Sequence, residues 1–396
     1  MKNSYKIALL ALALTSNLAP LLAAPAIKLL ALDFPDSSPV LIQLIVTFSS
    51  FFVVPSLLAV GTLSEKFSKK SILVFGLILY LIGGVGPAFM NSISGILVFR
   101  AILGLSIGLI TAMLNSLIAE NFYGNERTRM NGMITAISGL GGAVFLTIGG
   151  TIANLGWRGV FFTYSYVIIL ALLVALYIPH VKPQRIEMAG IRVNPFRLPP
   201  KVYLIGLGIF GILILYYAIF TNLAIYIADS GLGNAATVGY VTAISLVAMF
   251  IGGFFVNRVI GLFKEATMAF ILLLFCLTFV TMSFAHVLVM VVISVVLVGL
   301  GIGMVFPVLM DKLLNAALKE RLASAISLFL VFTYLGQFVT PIVLQGIHLL
   351  GTSTLRGKFL FIGVVAGTAF IIACIVVMKK HIKNVLHAAS ERTGQR

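Results

Sequence analysis

Carboxylates are scarce in this chain. Asp and Glu number 11 among 396 residues, against 27 Lys and Arg, and all charged residues together make up only 10%. Apolar residues reach 60% and the mean hydropathy is strongly positive, a balance that a water-soluble chain could not carry without aggregating. The chain therefore reads as an integral membrane protein. Cysteine is limited to Cys276 and Cys374, both inside apolar stretches, which excludes a disulfide framework and leaves them as small packing residues. None of His180, His286, His348, His381 and His387 shares a segment with carboxylates or cysteines at metal-ligand spacing, and no glycine-rich phosphate loop with its lysine is present. No metal or other cofactor is implied, ATP hydrolysis within the chain is excluded, and no deep nucleophile and base suggest an enzyme.

What is abundant is hydrophobic sequence in lengths of about 20 residues, enough to cross roughly 30 Å of hydrocarbon as helices. Twelve such segments can be drawn: residues 7–27, 40–60, 71–90, 96–118, 130–155, 160–178, 203–228, 238–256, 266–284, 287–310, 323–349 and 359–378. The first, with Lys2 and Lys6 ahead of it and Ala23-Ala24-Pro25-Ala26 near its end, also resembles a signal peptide. Cleavage would leave an odd number of helices, so retention is expected.

The formal charge of +16 is distributed by side. With a cytoplasmic N-terminus, 22 of the 27 basic residues fall on the inner side, and only Lys28, Arg158, Arg356 and Lys358 fall outside. The positive-inside rule thus puts both termini in the cytoplasm, and the basicity speaks of topology and membrane lipids, not nucleic acid. The remaining cation, Arg100, lies inside the fourth segment with no acid at comparable depth. A lone charge there is expensive and marks a functional position or an arginine that snorkels outward.

The longest polar interruption, residues 180–201, divides residues 1–179 from 202–379 and leaves a tail at 380–396. The halves echo each other: Gly61-Thr62-Leu63-Ser64-Glu65-Lys66 against Gly253-Phe254-Phe255-Val256-Asn257-Arg258, and Trp157-Arg158-Gly159 against Leu355-Arg356-Gly357. A parallel repeat implies two six-helix bundles about an axis along the membrane normal.

The stretch Gly61 to Lys70 resembles the loop signature of the major facilitator superfamily, with Glu65 for the usual Asp, Lys66 for Arg and Ser68 for Gly. Arg100 and Gly104 match a second signature of its twelve-helix drug and proton antiporter branch, with Leu103 where Gln is common. Gly132, Gly141, Gly149 and Gly150 match part of a third, in which Phe145 and Leu146 replace a Gly-Pro pair. The resemblance implies the all-α major facilitator fold and alternating access. It further implies a latch at Glu65 and Lys66 and a coupling role for Arg100. Read from the residues themselves, Gly61 allows close helix approach, and Lys69 and Lys70 anchor the loop at the inner surface as part of the same gating region. Many relatives carry an acid one turn before a first-helix proline resembling Pro25, where this chain has Leu21 and Leu22. Asp33, Glu120 and Asp311 remain as carboxylates that folding could draw inward to carry protons. A cavity between the halves is expected to use Asn17, Gln43, Arg100, Asn115, Tyr217, Asn222, Tyr226, Tyr334 and Gln337. The sequence thus points to a monomeric secondary transporter in a bacterial-type cytoplasmic membrane. Its expected work is proton-coupled efflux of small amphipathic or hydrophobic compounds; uptake or facilitated movement of a small polar or anionic metabolite is the alternative, and a polytopic enzyme or lipid-handling protein stands third.

Overall fold

With no water in the bilayer core, an apolar run must satisfy its backbone internally, and the helix does so within one segment. The computed structural model describes residues 3–15, 18–180, 198–318, 321–349, 351–352 and 354–393, and these are nearly all helical with no strand among them. The helices are α1 (Asn3–Leu12), α2 (Leu18–Leu21), α3 (Ile27–Asp33), α4 (Pro39–Lys66), α5 (Lys69–Val85), α6 (Ile93–Asn121), α7 (Gly124–Ala153), α8 (Trp157–Phe162) and α9 (Val167–Tyr177). They continue with α10 (Pro200–Phe220), α11 (Leu223–Asp229), α12 (Ala235–Phe263), α13 (Thr267–Ser283), α14 (Leu288–Ala316), α15 (Leu322–Leu349) and α16 (Leu355–Thr393).

Their boundaries follow local chemistry. Pro39 and Pro200 occupy first-turn positions where the missing N–H goes unneeded. Ser68 and Ser92 accept from Ser71 N and Gly95 N to cap α5 and α6, and Asn234 and Thr237 form a capping box on α12. Among the described residues ten helices are long and apolar enough to cross a membrane, eleven if the bent pair Asn3–Thr15 and Ala19–Asp33 counts as one. One of the ten, Ala235–Ser283, has 49 residues. At about 1.5 Å per residue it is too long for a single crossing. It turns at Lys264, where φ is 46°, and its arms α12 and α13 coincide with two separate segments of the sequence reading.

The first segment departs from expectation. Instead of one helix over 7–27, α1 gives way to a tight turn at Ala13–Thr15, and α2 and α3 are separated by a second tight turn at Ala24–Ala26. Pro20 and Pro25 each remove a backbone donor, so the ladder cannot run through. By contrast α7, which lacks the family's proline, runs unbroken over 30 residues.

Within residues 3–180, α4 and α5 pack on α6, and α9 packs on α5 and α1. Beyond residue 198, α12 and α13 pack on α14, α10 on α15 and α13 on α16. These two sets meet along two seams, α7 against α12 and α4 against α15. Glycine permits the first: a Cβ on Gly150 would lie 2.6 Å from the Gly239 Cα. Gly104 does the same inside the first set, where its Cβ would fall 2.0 Å from the Ser49 carbonyl oxygen. Gly61 does not; a Cβ there would meet nothing within 4 Å, which corrects the expectation of close helix approach at that residue.

Candidate functional site: a buried arginine and a polar seam

Arg100 is fully buried on α6. Insertion scales put the cost of a mid-membrane arginine at about 2.5–3.5 kcal/mol, so its surroundings have to compensate. Its Nη1 donates to the Tyr164 hydroxyl at 2.8 Å, and that hydroxyl donates onward to the Ala19 carbonyl at 2.5 Å. The guanidinium carbon lies 5.3 Å from the ring centroids of both Phe161 and Tyr164, which supplies cation–π attraction. Beside it the Tyr80 and Tyr166 hydroxyls are 2.6 Å apart, and Tyr166 donates to the Leu14 carbonyl at 3.0 Å. Arg100 of α6, Tyr80 of α5, Tyr164 and Tyr166 of the turn between α8 and α9, and the carbonyls of the broken first segment thus form one buried cluster. Among the described residues it leaves Arg100 Nε and Nη2 without a hydrogen-bond acceptor.

The second assembly lies along the α4–α15 seam. Gln43, Thr47 and Ser50 fall at i, i+4 and i+7 on one face of α4. Gln43 Nε2 donates to Asn222 Oδ1 at 2.8 Å, the Ser50 hydroxyl donates to Gln337 Oε1 at 2.6 Å, and Thr47 reaches the Phe338 carbonyl at 3.5 Å. Asn222 is held in turn by its own amide, which donates to the Ala218 carbonyl and the Thr221 hydroxyl. Phe338 packs its ring 4.9 Å from Phe51. Nearer that end of α4 the Lys28 ammonium donates to Asp229 at 2.6 Å, again between the two sets. Thr151 and Tyr240, hydroxyls 3.3 Å apart, link α7 to α12.

The remaining sequence candidates distribute as follows. Gln43 and Asn222 meet, and Gln337 accepts separately from Ser50, seven residues further along the same face of α4. Tyr217 is buried with its ring 5.4 Å from Tyr216, and Tyr334 is half-buried on α15. Tyr226 donates to the Met282 and Ala285 carbonyls at 3.0 and 2.8 Å, which ties α11 to the end of α13. Asn115 is exposed on α6, and Asn17 lies outside the described residues. None of the three carboxylates is near Arg100 by any described contact. Asp33 accepts from Trp157 Nε1 at 2.5 Å with Arg158 at 3.9 Å. Glu120 takes Lys69 and, at 3.0 Å, the Ser116 hydroxyl. Asp311 lines a cavity of about 330 Å³ with Lys264, Glu265 and Lys312. In the loop signature, Lys69 contacts Glu120 and Lys70 donates to the Ala175 carbonyl at 2.7 Å, both within the first set of helices. Glu65 and Lys66 are exposed.

Sequence reasoning missed Tyr80, Phe161, Tyr164, Tyr166, Thr47 and Ser50. The spacing of 43, 47 and 50 could have identified the last two. Nothing local marks Tyr164, which is 64 residues from Arg100.

A helical membrane protein whose two sets of helices meet along glycine-lined and polar seams has the architecture of a transporter. The chain matches the profile of the Major Facilitator Superfamily over residues 7–341 and again over 205–394, and it belongs to that family. It is similar to the quinolone resistance protein NorA of Staphylococcus aureus, 26% identical over 297 residues that cover 72% of this chain and 74% of that one. Multidrug resistance protein 3 of Bacillus subtilis is 30% identical over a shorter 103 residues, 26% of this chain and 20% of that protein. Among solved structures, a mutant of the nucleoside transporter NupG superposes with a TM-score of 0.72 over 95% of this chain and 99% of that one at 12% identity. A bacterial homolog of the human lysosomal transporter Spinster, in an inward-facing and occupied conformation, gives 0.63 over 93% and 91% at 15%. These likenesses define the fold as that of a major facilitator transporter.

Proposed function

We propose that the protein exports small amphipathic or hydrophobic compounds by alternating access, driven by proton entry, across a bacterial-type cytoplasmic membrane with both termini inside. Residues 1–179 and 202–379 act as the two rocking bundles, joined by the linker at 180–201, and the chain works as a monomer. The observation that carries this reading is the polar seam. Gln43 to Asn222 and Ser50 to Gln337 are hydrogen bonds between the bundles, and in a bilayer each such bond contributes only about 0.6–1.7 kcal/mol. A contact of that strength can form and break in each cycle. The similarity to NorA over most of the chain supports drug-type cargo.

The second reading, movement of a small polar metabolite, is favoured by the same seam's amides and hydroxyls and by the structural likeness to a nucleoside transporter. Proteoliposomes with an imposed pH gradient separate the two. Export coupled to protons predicts gradient-dependent ethidium flux with accompanying proton movement; ethidium flux indifferent to the gradient, or uridine flux in its place, contradicts it.

A further inference from the structure

Arg100 is the largest fully buried side chain of the described residues and holds a fixed positive charge. A guanidinium has five N–H donors. One nitrogen, Nη1, is accounted for by Tyr164, whereas Nε and Nη2 have no acceptor among the described residues. Those two share one edge of the planar group, the edge whose parallel N–H bonds match the two oxygens of a carboxylate. The described carboxylates that could have served are committed elsewhere or remote: Asp33 to Trp157, Glu120 to Lys69, Glu126 to Lys6 and Asp229 to Lys28. Two ring contacts ease the charge but offer no acceptor to an N–H edge. Beside it lie two breaks in regular α-helix, the tight turn Thr163–Tyr166 that carries Tyr164 and the stretch of residues 18–26, whose Ala19 carbonyl is reached through Tyr164. Irregular backbone at membrane depth is tolerated where it is buried in protein or lines a cavity.

We infer that the Nε and Nη2 edge of Arg100 is a carboxylate-binding site, so that the cargo class includes anionic or zwitterionic amphiphiles bearing a carboxylate. Tyr164 holds the guanidinium with this edge free, and the carboxylate supplies the charge and the two acceptors that the described residues do not. The inference rests on the transport reading for its biological meaning, although its test contains no transport step.

The test is thermal unfolding of the purified full-length protein with benzoate, its neutral near-isostere benzamide, or chloride at equal ionic strength. Benzoate is expected to raise the unfolding temperature of the wild type, with benzamide and chloride leaving it unchanged. Arg100→Gln should abolish the benzoate shift. Arg100→Lys, which keeps the charge but loses the fork, should weaken benzoate binding about tenfold. A wild type that does not distinguish benzoate from benzamide overturns the site whether or not any variant folds, as does an equal shift in either variant. Failure of the transport reading would show separately, as proteoliposomes that move neither ethidium nor uridine.

Discussion

The tyrosine hydroxyl at position 164 is the hinge of the arginine cluster, because it accepts from Arg100 and donates to the Ala19 carbonyl at once. Removing it strands both a buried charged donor and a buried carbonyl. Loss of a partner for a buried polar group costs about 1–3 kcal/mol. Tyr164→Phe is therefore expected to lower stability by about that amount, while Tyr123→Phe, at an exposed site, changes it little. Equal unfolding temperatures for the two variants in detergent would refute the role given to Tyr164. At this scale the sequence was half informative. Arg100 declares itself, since charge inside an apolar run needs no fold to be noticed. Its partners do not, because a tyrosine in an apolar segment carries no mark of which helix it will face.

Among the elements, α6 is held against α4 by the absence of a side chain at Gly104. Any Cβ there would collide with the Ser49 backbone, which cannot move aside as the end of a flexible side chain could. Gly104→Leu is expected to cost about 1–3 kcal/mol or more by overpacking, whereas Gly132→Leu, where a Cβ would meet nothing within 4 Å, should be tolerated. Comparing folded yields and unfolding temperatures of the two variants checks this. The tie between α1 and α7 offers a pH test. Lys6 donates to Glu126 at 2.7 Å, and this bond, with the Lys6 charge and Arg129 behind it, holds the carboxyl below its ordinary value of 4.5. A lowered carboxyl contributes stability above its ordinary value and loses that contribution as the pH falls through the lowered one. The difference in unfolding temperature between wild type and Glu126→Gln should be present at neutral pH and vanish in acid. A difference that grows on acidification would contradict the assignment. Helix extents were largely legible, since segment length and hydropathy determine them. The break in the first segment was not, although Pro20 and Pro25 were in plain view, because the carbonyls freed there are stabilised by tyrosines that only the fold brings near.

The whole molecule was legible as a major facilitator transporter from hydropathy, the internal repeat and the loop signature. What the sequence left unread is the geometry of the seams. Gln43 and Asn222 are 179 residues apart, and Ser50 and Gln337 are 287 apart, so no local pattern joins them. The loop lysines illustrate the same limit: Lys69 and Lys70 contact Glu120 and the Ala175 carbonyl within the first set of helices, partners 51 and 105 residues away that no local pattern names. Alternating access requires that the α4 seam open and close in each cycle. With Cys276 and Cys374 replaced by alanine, Gln43→Cys paired with Asn222→Cys can be joined by a short thiol-reactive cross-linker, since side chains that meet this way leave backbones too far apart to assume a direct disulfide. The decisive measurement is ethidium flux in proteoliposomes before cross-linking, after it, and after cleavage of the linker. Loss of flux on cross-linking and recovery on cleavage is the predicted result; undiminished flux through the cross-linked protein would contradict the account.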